Sequence, residues 1–296
     1  MRAPGSELPV QGLGHGDHVC LAFADDAEQR RVVTAYLSQG LARGERVLYF
    51  ADRQDPATVL DWLRSAGARP EAAQASGQLR VLTAGAGYFP SGRFEGEPMV
   101  VTLRREVQES LQAGYTGFRV SGEMSWSLRG VPGTEQLSWY EREVTELFAG
   151  QPASALCQYD ARLFDPEQLD TFERCHRGTV EADPLYEDAL LRIVPSFLEG
   201  RRTVRVVGTV DYRTTGALAE ALDTVLGWTG DVRVDMGALE FIDLAGLRAL
   251  ADSAGRFEPG RHLRVEGLAP LMCQVISVAG FDQQPGLVVI PAGGPA

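Results

Sequence analysis

Residues 232–250 read VRVDMGALEFIDLAGLRAL, and this stretch decides the fold of the last third of the chain. Valine alternates with charged residues over 232–235, which predicts a strand with one buried face. We expect a turn through Met236 and Gly237, then hydrophobic residues that lead to Asp243. A helix begins there, because the carboxylate can accept hydrogen bonds from the free N–H groups of the first turn. Leucines continue at helical spacing: Leu244, Leu247 and Leu250.

Residues 242–247 read IDLAGL. They resemble the signature of the STAS domain of anti-sigma-factor antagonists, which is a strand, the pattern hydrophobic-Asp-Ser-Ser/Ala-Gly-Leu, and a helix. In that family the second residue after the aspartate is often a serine, which a partner anti-sigma kinase phosphorylates. Here that residue is Ala245, which has no hydroxyl, and Leu244 removes the neighbouring hydroxyl. The resemblance therefore implies a recognition scaffold without its usual phosphorylation switch.

The resemblance also implies where a partner protein would bind. In STAS antagonists the partner, an anti-sigma factor or serine kinase, docks on the loop and helix start around the aspartates. The matching positions here are Asp211, Asp243, Leu244, Ala245 and Gly246. Residues 208–211 read GTVD, a step that also fits the family pattern. The alternative is that both aspartates only cap helices.

Composition limits the classes of function. A chain of 296 residues with 44% hydrophobic residues predicts two globular domains. The net charge of −12 disfavours direct nucleic-acid binding. All 28 basic residues are arginine, which excludes Schiff-base and Walker A lysines. The sequence lacks an eighteen-residue apolar run and a basic-then-apolar start, so we expect a cytoplasmic protein without a membrane span or signal peptide.

The first half alternates predicted strands and helices from residue 18 to residue 175. That alternation predicts an α/β fold with a parallel sheet covered on both faces, and ligands at the carboxyl ends of its strands. Within this half, residues 84–98 carry several glycines and aromatic residues and are expected to form a long loop. We divide the chain into a flexible lead-in (1–14), a first domain (15–180), an acidic linker (181–188) and the STAS-like domain (189–293).

Four dispersed motifs of the first half carry a second resemblance: GDHVC at 16–20, LARGERVL at 41–48, GEMSW at 122–126 and CQYD at 157–160. They resemble the MEDS sensory domain, which is thought to be a RecA/KaiC-like fold that has lost its P-loop. That family is proposed to sense small organic compounds. The resemblance thus implies a degenerate RecA-like sensor over residues 13–180.

The P-loop position itself reads FADDAE at residues 23–28. A RecA-like ATPase needs a glycine-rich loop and a lysine there, because backbone N–H groups and an ammonium neutralise the triphosphate. Three carboxylates at this place would repel phosphate. We therefore expect neither ATP hydrolysis nor a bound cofactor.

The predicted strand ends converge on six candidate ligand-binding residues, with His176 as a further candidate from the last helix: His18, Cys20, Glu123, Trp126, Tyr159 and Asp160. His18 and Cys20 are two apart on a strand, so they share a face. His15, His18 and Cys20 could also be read as metal ligands. The chain offers no paired ligand spacing, however, so a packed cysteine and a hydrogen-bonded histidine are the expectation and no metal is predicted.

The other candidates also have structural alternatives. Glu123 could simply cap the loop that follows its strand. Trp126, with Tyr88 and Phe89, could line an apolar pocket for a small molecule or belong to the ordinary core. The four cysteines are most simply reduced residues of the core.

Together these patterns predict a non-enzymatic bacterial signalling regulator. A MEDS-like sensor would bind a small organic ligand, and the STAS-like domain would bind an anti-sigma factor or serine kinase. Two alternatives remain open at this point. One is a nucleotide-hydrolysing RecA-like enzyme, and the other is a scaffold whose STAS-like domain forms homo-oligomers.

Overall fold

The computed structural model describes residues 6–228 and 230–292. Its chain divides into two compact units, residues 1–181 and residues 182–296. Each unit is a sheet covered by helices. None of the helices among the described residues combines the length and the apolar character that crossing a membrane requires.

The first unit is a seven-stranded sheet in the order β1-β7-β2-β6-β5-β3-β4, and every neighbouring pair is parallel. This confirms the α/β class and the parallel sheet. Strands β5 and β6 are buried along their whole length, as expected when helices cover both faces. The strands are β1 (Ser6–Leu8), β2 (His18–Phe23), β3 (Arg46–Ala51), β4 (Leu79–Thr83), β5 (Phe118–Glu123), β6 (Ala153–Asp160) and β7 (Gly178–Val180).

The helices of the first unit begin at residues that the sequence marks. Asp25 caps α1, Asp55 precedes the proline that opens α2, and Asp165 forms a capping box with Gln168 at α7. The helices are α1 (Asp26–Ala42), α2 (Pro56–Ser65), α3 (Pro70–Ala75), α4 (Ala84–Tyr88), α5 (Gly96–Gln112), α6 (Leu137–Phe148) and α7 (Pro166–Glu173).

Alternation along the strands divides the side chains of the first unit between two faces. Val19, Leu21 and Phe23 of β2 join the core formed with α1 and α2. His18 has the opposite parity, and its ring contacts Thr145 and Phe148 of α6. One face of the sheet is therefore covered by α1 and α2, and the other by α6.

The second unit is a six-stranded mixed sheet in the order β13-β12-β11-β10-β9-β8. Strands β9 and β10 form an antiparallel hairpin whose turn uses positive φ at Glu199 and Gly200. The elements are β8 (Tyr186–Glu187), β9 (Leu191–Leu198), β10 (Arg201–Val210), α8 (Thr215–Val225), β11 (Val232–Ile242), α9 (Leu244–Ala254), β12 (Leu263–Leu268), α10 (Pro270–Val278) and β13 (Leu287–Pro291).

The predicted turn at Met236 and Gly237 is wrong. Strand β11 continues through both residues to Ile242, and its register against β10 shifts between Arg205 and Val207. The shift is a β-bulge, which absorbs the extra residue without ending the strand. Met236 stays buried like Val232 and Val234 before it, whereas residues 237–241 are exposed or partly exposed before Ile242 is buried again.

Three further segments differ from the sequence predictions. The lead-in contains β1, which pairs with β7, and a 3-10 turn at Val10–Gly12, whereas its residues 1–5 lie outside the described residues. The expected loop at residues 84–98 begins with helix α4 and ends inside α5. The linker at 181–188 includes β8, which pairs with β9.

Candidate functional site

Strands β2 and β6 lie side by side in the middle of the first sheet, and their register sets the site. His18 pairs with Ala155 and Cys20 pairs with Cys157. Side chains of paired residues in parallel strands point to the same face, so His18, Cys157 and Tyr159 all face α6. Helix α6 contributes Glu141 to this face, and His176 follows the end of α7.

Four buried donor side chains meet here, and we call His18, Glu141, Cys157 and His176 the Glu141 cluster. One ligand atom of each lies within 4.8 Å of those of the others. His18 Nε2 is 3.3 Å from both Glu141 Oε2 and Cys157 Sγ. Cys157 Sγ is 3.4 Å, and His176 Nε2 is 3.5 Å, from the same Glu141 oxygen. These atoms could hold a metal ion.

Hydrogen bonds from outside the cluster fix its side chains. Thr145 donates its hydroxyl hydrogen to the Cys175 carbonyl, so Thr145 Oγ1 accepts from His18 Nδ1 at 2.7 Å. His176 Nδ1 donates to the Phe172 carbonyl, also at 2.7 Å. Because each Nδ1 bonds to an oxygen outside the cluster, Nε2 is the ring nitrogen that faces the cluster in both histidines.

The cluster is electrostatically unlike a catalytic cysteine site. Burial, with a smaller contribution from His176, lowers the pKa of His18 to about 4. Burial, with the Glu141 charge, raises the pKa of the Cys157 thiol. A reactive cysteine needs an accessible, electropositive setting, whereas Cys157 is buried beside a carboxylate. In the absence of a bound cation, the cluster holds a neutral imidazole at His18 and an unreactive thiol.

A second group of residues lies at the carboxyl edge of the second sheet. Asp243 caps α9 by accepting a 2.8 Å hydrogen bond from the Gly246 N–H, as predicted. Leu244 is 57% exposed, and Ala245 is also exposed. Gly246 is buried, and a Cβ there would lie 2.7 Å from side-chain atoms of Ile242 and Val210. The glycine lets the start of α9 approach the sheet, while the two residues before it face outward.

Two family models match the chain. Residues 17–177, more than half of the sequence, match the family described as MEDS, the methanogen/methylotroph DcmR sensory domain. The chain belongs to the MEDS family. Residues 196–290 match the family described as the Mlab, STAS domain. Both resemblances inferred from the motifs are confirmed, and a MEDS domain followed by a STAS domain is the make-up of a signalling or regulatory protein.

Individual proteins resemble parts of the chain. The transcriptional repressor DcmR of Methylorubrum extorquens is 24% identical over 178 residues, which is 60% of this chain and 64% of that repressor. An anti-sigma factor antagonist from Mycobacterium paratuberculosis covers 33% of this chain and 85% of its own, with 24% identity and a TM-score of 0.30. A KaiC-like protein from Pyrococcus horikoshii covers 66% of this chain and 87% of its own, with 14% identity and a TM-score of 0.42.

The structure distributes the six predicted ligand-binding residues of the MEDS domain over separate places. His18 belongs to the Glu141 cluster, and the Tyr159 hydroxyl donates to Glu141 Oε1 at 2.8 Å. Cys20 lies buried on the same face but is outside the four-residue group. His15, which the sequence offered as a metal ligand, lies instead against Glu45, with its Nε2 3.3 Å from Glu45 Oε1.

Glu123 and Asp160 lie on the opposite face of the sheet. Glu123 accepts hydrogen bonds from the Tyr49 hydroxyl and from the backbone N–H groups of Arg53 and Gln54. Burial raises the pKa of Glu123. The Asp160 carboxylate is paired with Arg162 at 2.8 Å. Glu123 thus holds the loop after β3 rather than the loop after its own strand, and neither residue lies near His18.

Trp126 is fully buried among aromatic rings. Its ring is stacked on Tyr88, with centroids 5.1 Å apart, and packs against Phe89 and Phe94 at 5.2 and 5.0 Å. This arrangement is a buried aromatic cluster on the α6 face. It matches the structural alternative for Trp126 rather than an open pocket wall.

Sequence reasoning missed Glu141 and assigned Cys157 to the core. One signal for Glu141 was present, because it lies inside the apolar stripe of α6: Leu137, Tyr140, Val144 and Phe148. A glutamate among buried positions of an amphipathic helix needs buried partners. Its partners could not be named, because they depend on which strand lies next to β2.

The P-loop position of the MEDS domain is closed by its own side chains. Asp25 accepts a 2.7 Å hydrogen bond from the Glu28 N–H, and Glu28 accepts one from the Ala24 N–H at 3.1 Å. Asp26 pairs with Arg162 at 2.6 Å. Two of the backbone N–H groups that a phosphate would need are therefore bonded to carboxylates.

Asp211 of the STAS domain differs from the prediction that it caps a helix with its side chain. Helix α8 begins after Thr214, and its capping residue makes no side-chain cap hydrogen bond. The Asp211 carboxylate instead accepts from the Arg213 N–H at 2.9 Å and pairs with the Arg213 guanidinium at 2.6 Å. These bonds lower the pKa of Asp211. The carboxylate forms a turn with Arg213, while the Asp211 carbonyl accepts from Thr215.

Proposed function

We propose that this protein is a non-enzymatic signalling regulator whose STAS domain binds an anti-sigma factor or serine-kinase-type partner. The MEDS domain would receive the signal that changes this binding. The observation that carries the proposal is the exposed apolar surface beside the Asp243 cap. We define this surface as Tyr212, Phe241, Leu244 and Ala245.

The topology brings these four residues to one edge of the sheet. Strands β10 and β11 are parallel, and Val210 pairs with Ile242, so the residues that follow both strands share that edge. The Asp243 N–H also bonds to the Val210 carbonyl at 3.0 Å. Tyr212 and Phe241 are 84% and 51% exposed. Large apolar side chains exposed together at a loop edge support a protein-binding role.

The surface lacks the serine hydroxyl whose phosphorylation usually controls partner binding by STAS antagonists. Ala245 is exposed at the second position after the aspartate, but it cannot accept a phosphoryl group. Control of the partner must then come from elsewhere in the chain. The MEDS domain is the candidate source, and the regulatory name of the relative DcmR supports that assignment.

Nucleotide hydrolysis is the weaker reading of the MEDS domain. A triphosphate at the start of α1 would have to displace Asp25 and Glu28 from backbone N–H groups and then remain beside both carboxylates. The chain has no lysine to take the place of the P-loop lysine. We therefore assign this domain to signal reception.

The test is direct binding between the full chain and purified serine-kinase-type anti-sigma proteins from the same genome, measured by calorimetry. We expect one of them to bind, and Leu244→Glu to weaken binding by about 30-fold or more, as for a central apolar contact worth about 2 kcal/mol. Val278→Glu is the matched control. Val278 is 92% exposed on α10, outside the proposed surface, and its replacement should change affinity less than about twofold.

Two results would contradict the proposal. The first is that wild-type protein binds none of the candidates. The second is that Leu244→Glu and Val278→Glu weaken binding equally, which would place the contact elsewhere.

A further inference from the structure

The separations within the Glu141 cluster match the edges of a metal-centred tetrahedron. With metal–nitrogen and metal–oxygen bonds of about 2.1 Å and a metal–sulfur bond of about 2.3 Å, tetrahedral ligand atoms lie about 3.4–3.6 Å apart. Four of the six separations are 3.3, 3.3, 3.4 and 3.5 Å, all involving either Glu141 Oε2 or His18 Nε2, and the other two are within 4.8 Å. The side chains therefore already hold the spacing that a small cation requires.

The direction of the lone pairs matches as well. Both imidazoles donate through Nδ1 to an outer oxygen, Thr145 Oγ1 for His18 and the Phe172 carbonyl for His176. Metal-bound histidines in proteins are usually held in this way, with the outer ring nitrogen donating and the inner one coordinating. In both rings Nε2 is thus the nitrogen that could coordinate a cation.

The His18 Nε2 lone pair and the Glu141 Oε2 atom compete for one hydrogen, the S–H of Cys157. The Tyr159 hydroxyl is committed to the other oxygen, Oε1. His176 Nε2 is buried and has no hydrogen-bond partner among the described residues. Buried acceptors without donors are costly, and a cation would satisfy all of them at once.

We propose that His18, Glu141, Cys157 and His176 form a closed tetrahedral site for a transition-metal ion, and that Zn²⁺ fits its donor set best. Imidazole, carboxylate and thiolate are all zinc ligands. A divalent ion bound by one carboxylate and one thiolate leaves the site formally neutral, which suits its complete burial. Four protein ligands leave no open position, so the ion has a structural or regulatory role. The site concerns the MEDS domain alone and does not depend on the partner of the STAS domain.

The experiment is metal binding by the full chain, refolded without metal and then with one equivalent of Co²⁺ or Zn²⁺. Co²⁺ should give the visible ligand-field spectrum of a tetrahedral site and a thiolate-to-cobalt charge-transfer band. One equivalent of Zn²⁺ per chain should displace the Co²⁺ and remove both the ligand-field spectrum and the charge-transfer band. Cys157→Ser should abolish the charge-transfer band, while Cys175→Ser, a neighbouring buried cysteine outside the group, should keep it.

Affinity for Zn²⁺ should fall in a graded way across the variants. His176→Gln removes a ligand and should lose at least about 100-fold, whereas Thr145→Val removes only the outer partner of His18 and should lose about 10- to 100-fold. His15→Gln should bind as wild type, because His15 lies against Glu45 instead.

Two outcomes overturn the proposal. One is a wild-type chain that shows neither the tetrahedral spectrum nor the thiolate band. The other is a folded Cys157→Ser or His176→Gln variant, checked by circular dichroism, that binds Zn²⁺ as wild type does. If a ligand variant fails to fold, the wild-type Co²⁺ spectrum and the Cys175→Ser control decide.

Discussion

The two roles of Asp243, helix cap and partner contact, can be separated by one pair of substitutions. In the structure Asp243 Oδ1 accepts a 2.8 Å hydrogen bond from the Gly246 N–H at the start of α9. Asp243→Ala removes that bond, and a lost cap costs about 1 kcal/mol. For a unit of this size, such a loss corresponds to a fall in melting temperature of about 4 °C. Asn caps about as well as Asp, so Asp243→Asn should keep the stability within about 0.5 kcal/mol.

The affinity for the partner should respond to Asp243→Asn differently from the stability. If the Asp243 carboxylate meets a donor of the partner, removing its charge costs about 2 kcal/mol or more, which is a loss of about 30-fold in affinity. Asp243→Asn should then bind much more weakly while melting like the wild type. Calorimetry gives the affinity, and urea unfolding followed by hydrogen exchange on peptides from 182–296 gives the stability of the STAS domain alone. Unchanged binding by Asp243→Asn would refute the contact and leave Asp243 as a cap.

Three further predictions concern stability. Glu45→Ala leaves the fully buried Arg119 guanidinium without its carboxylate and should cost about 3–5 kcal/mol in urea unfolding, with a smaller loss for Glu45→Gln. Burial, with the charges of Asp170 and Glu7, raises the pKa of the half-buried Glu173 to about 7. Protonation of Glu173 therefore contributes stability that is fully present below about pH 4.5 and is lost as pH rises through 7. Glu173→Gln should therefore stabilise the protein by about 1–2 kcal/mol at pH 8 and hardly at pH 5, and equal effects at both would count against this. Gly246→Ala places a Cβ 2.7 Å from Ile242 and Val210 and should cost about 1–3 kcal/mol, seen as a lower melting temperature.

The sequence predicts most of the sheet because its strands are long and strongly patterned. Buried runs such as those of β2 and β3 end at turn residues or helix caps. The parallel sheet follows from their alternation with helices. Strands β1 and β7 were missed, because three residues are too few to show a period.

The candidate site was predicted in part, and the missing part depends on strand order. His18, Tyr159 and the further candidate His176 were named, and the structure places all three at Glu141. That proximity needs β6 to lie beside β2, although the two strands are some 130 residues apart in the sequence and several elements lie between them. Alternation alone does separate Tyr159 from Asp160, since adjacent strand residues face opposite ways. Without the register, it cannot say which of them shares a face with His18.

The N-termini of α1 and α9 could each bind a phosphate group, but carboxylates of this chain already accept hydrogen bonds from backbone N–H groups there. Asp25 and Glu28 bond to the N–H groups at α1, and Asp243 bonds to one at α9. An anion at either place would displace a cap and meet a negative charge, so both starts resist the ligands that helix N-termini usually attract. The opposite face of the first sheet offers inward lone pairs at Glu141, which attract a cation instead. Because that cluster is fully buried, a cation can enter only when the packing of α6 on the sheet opens, and occupancy is then linked to local stability of the MEDS domain.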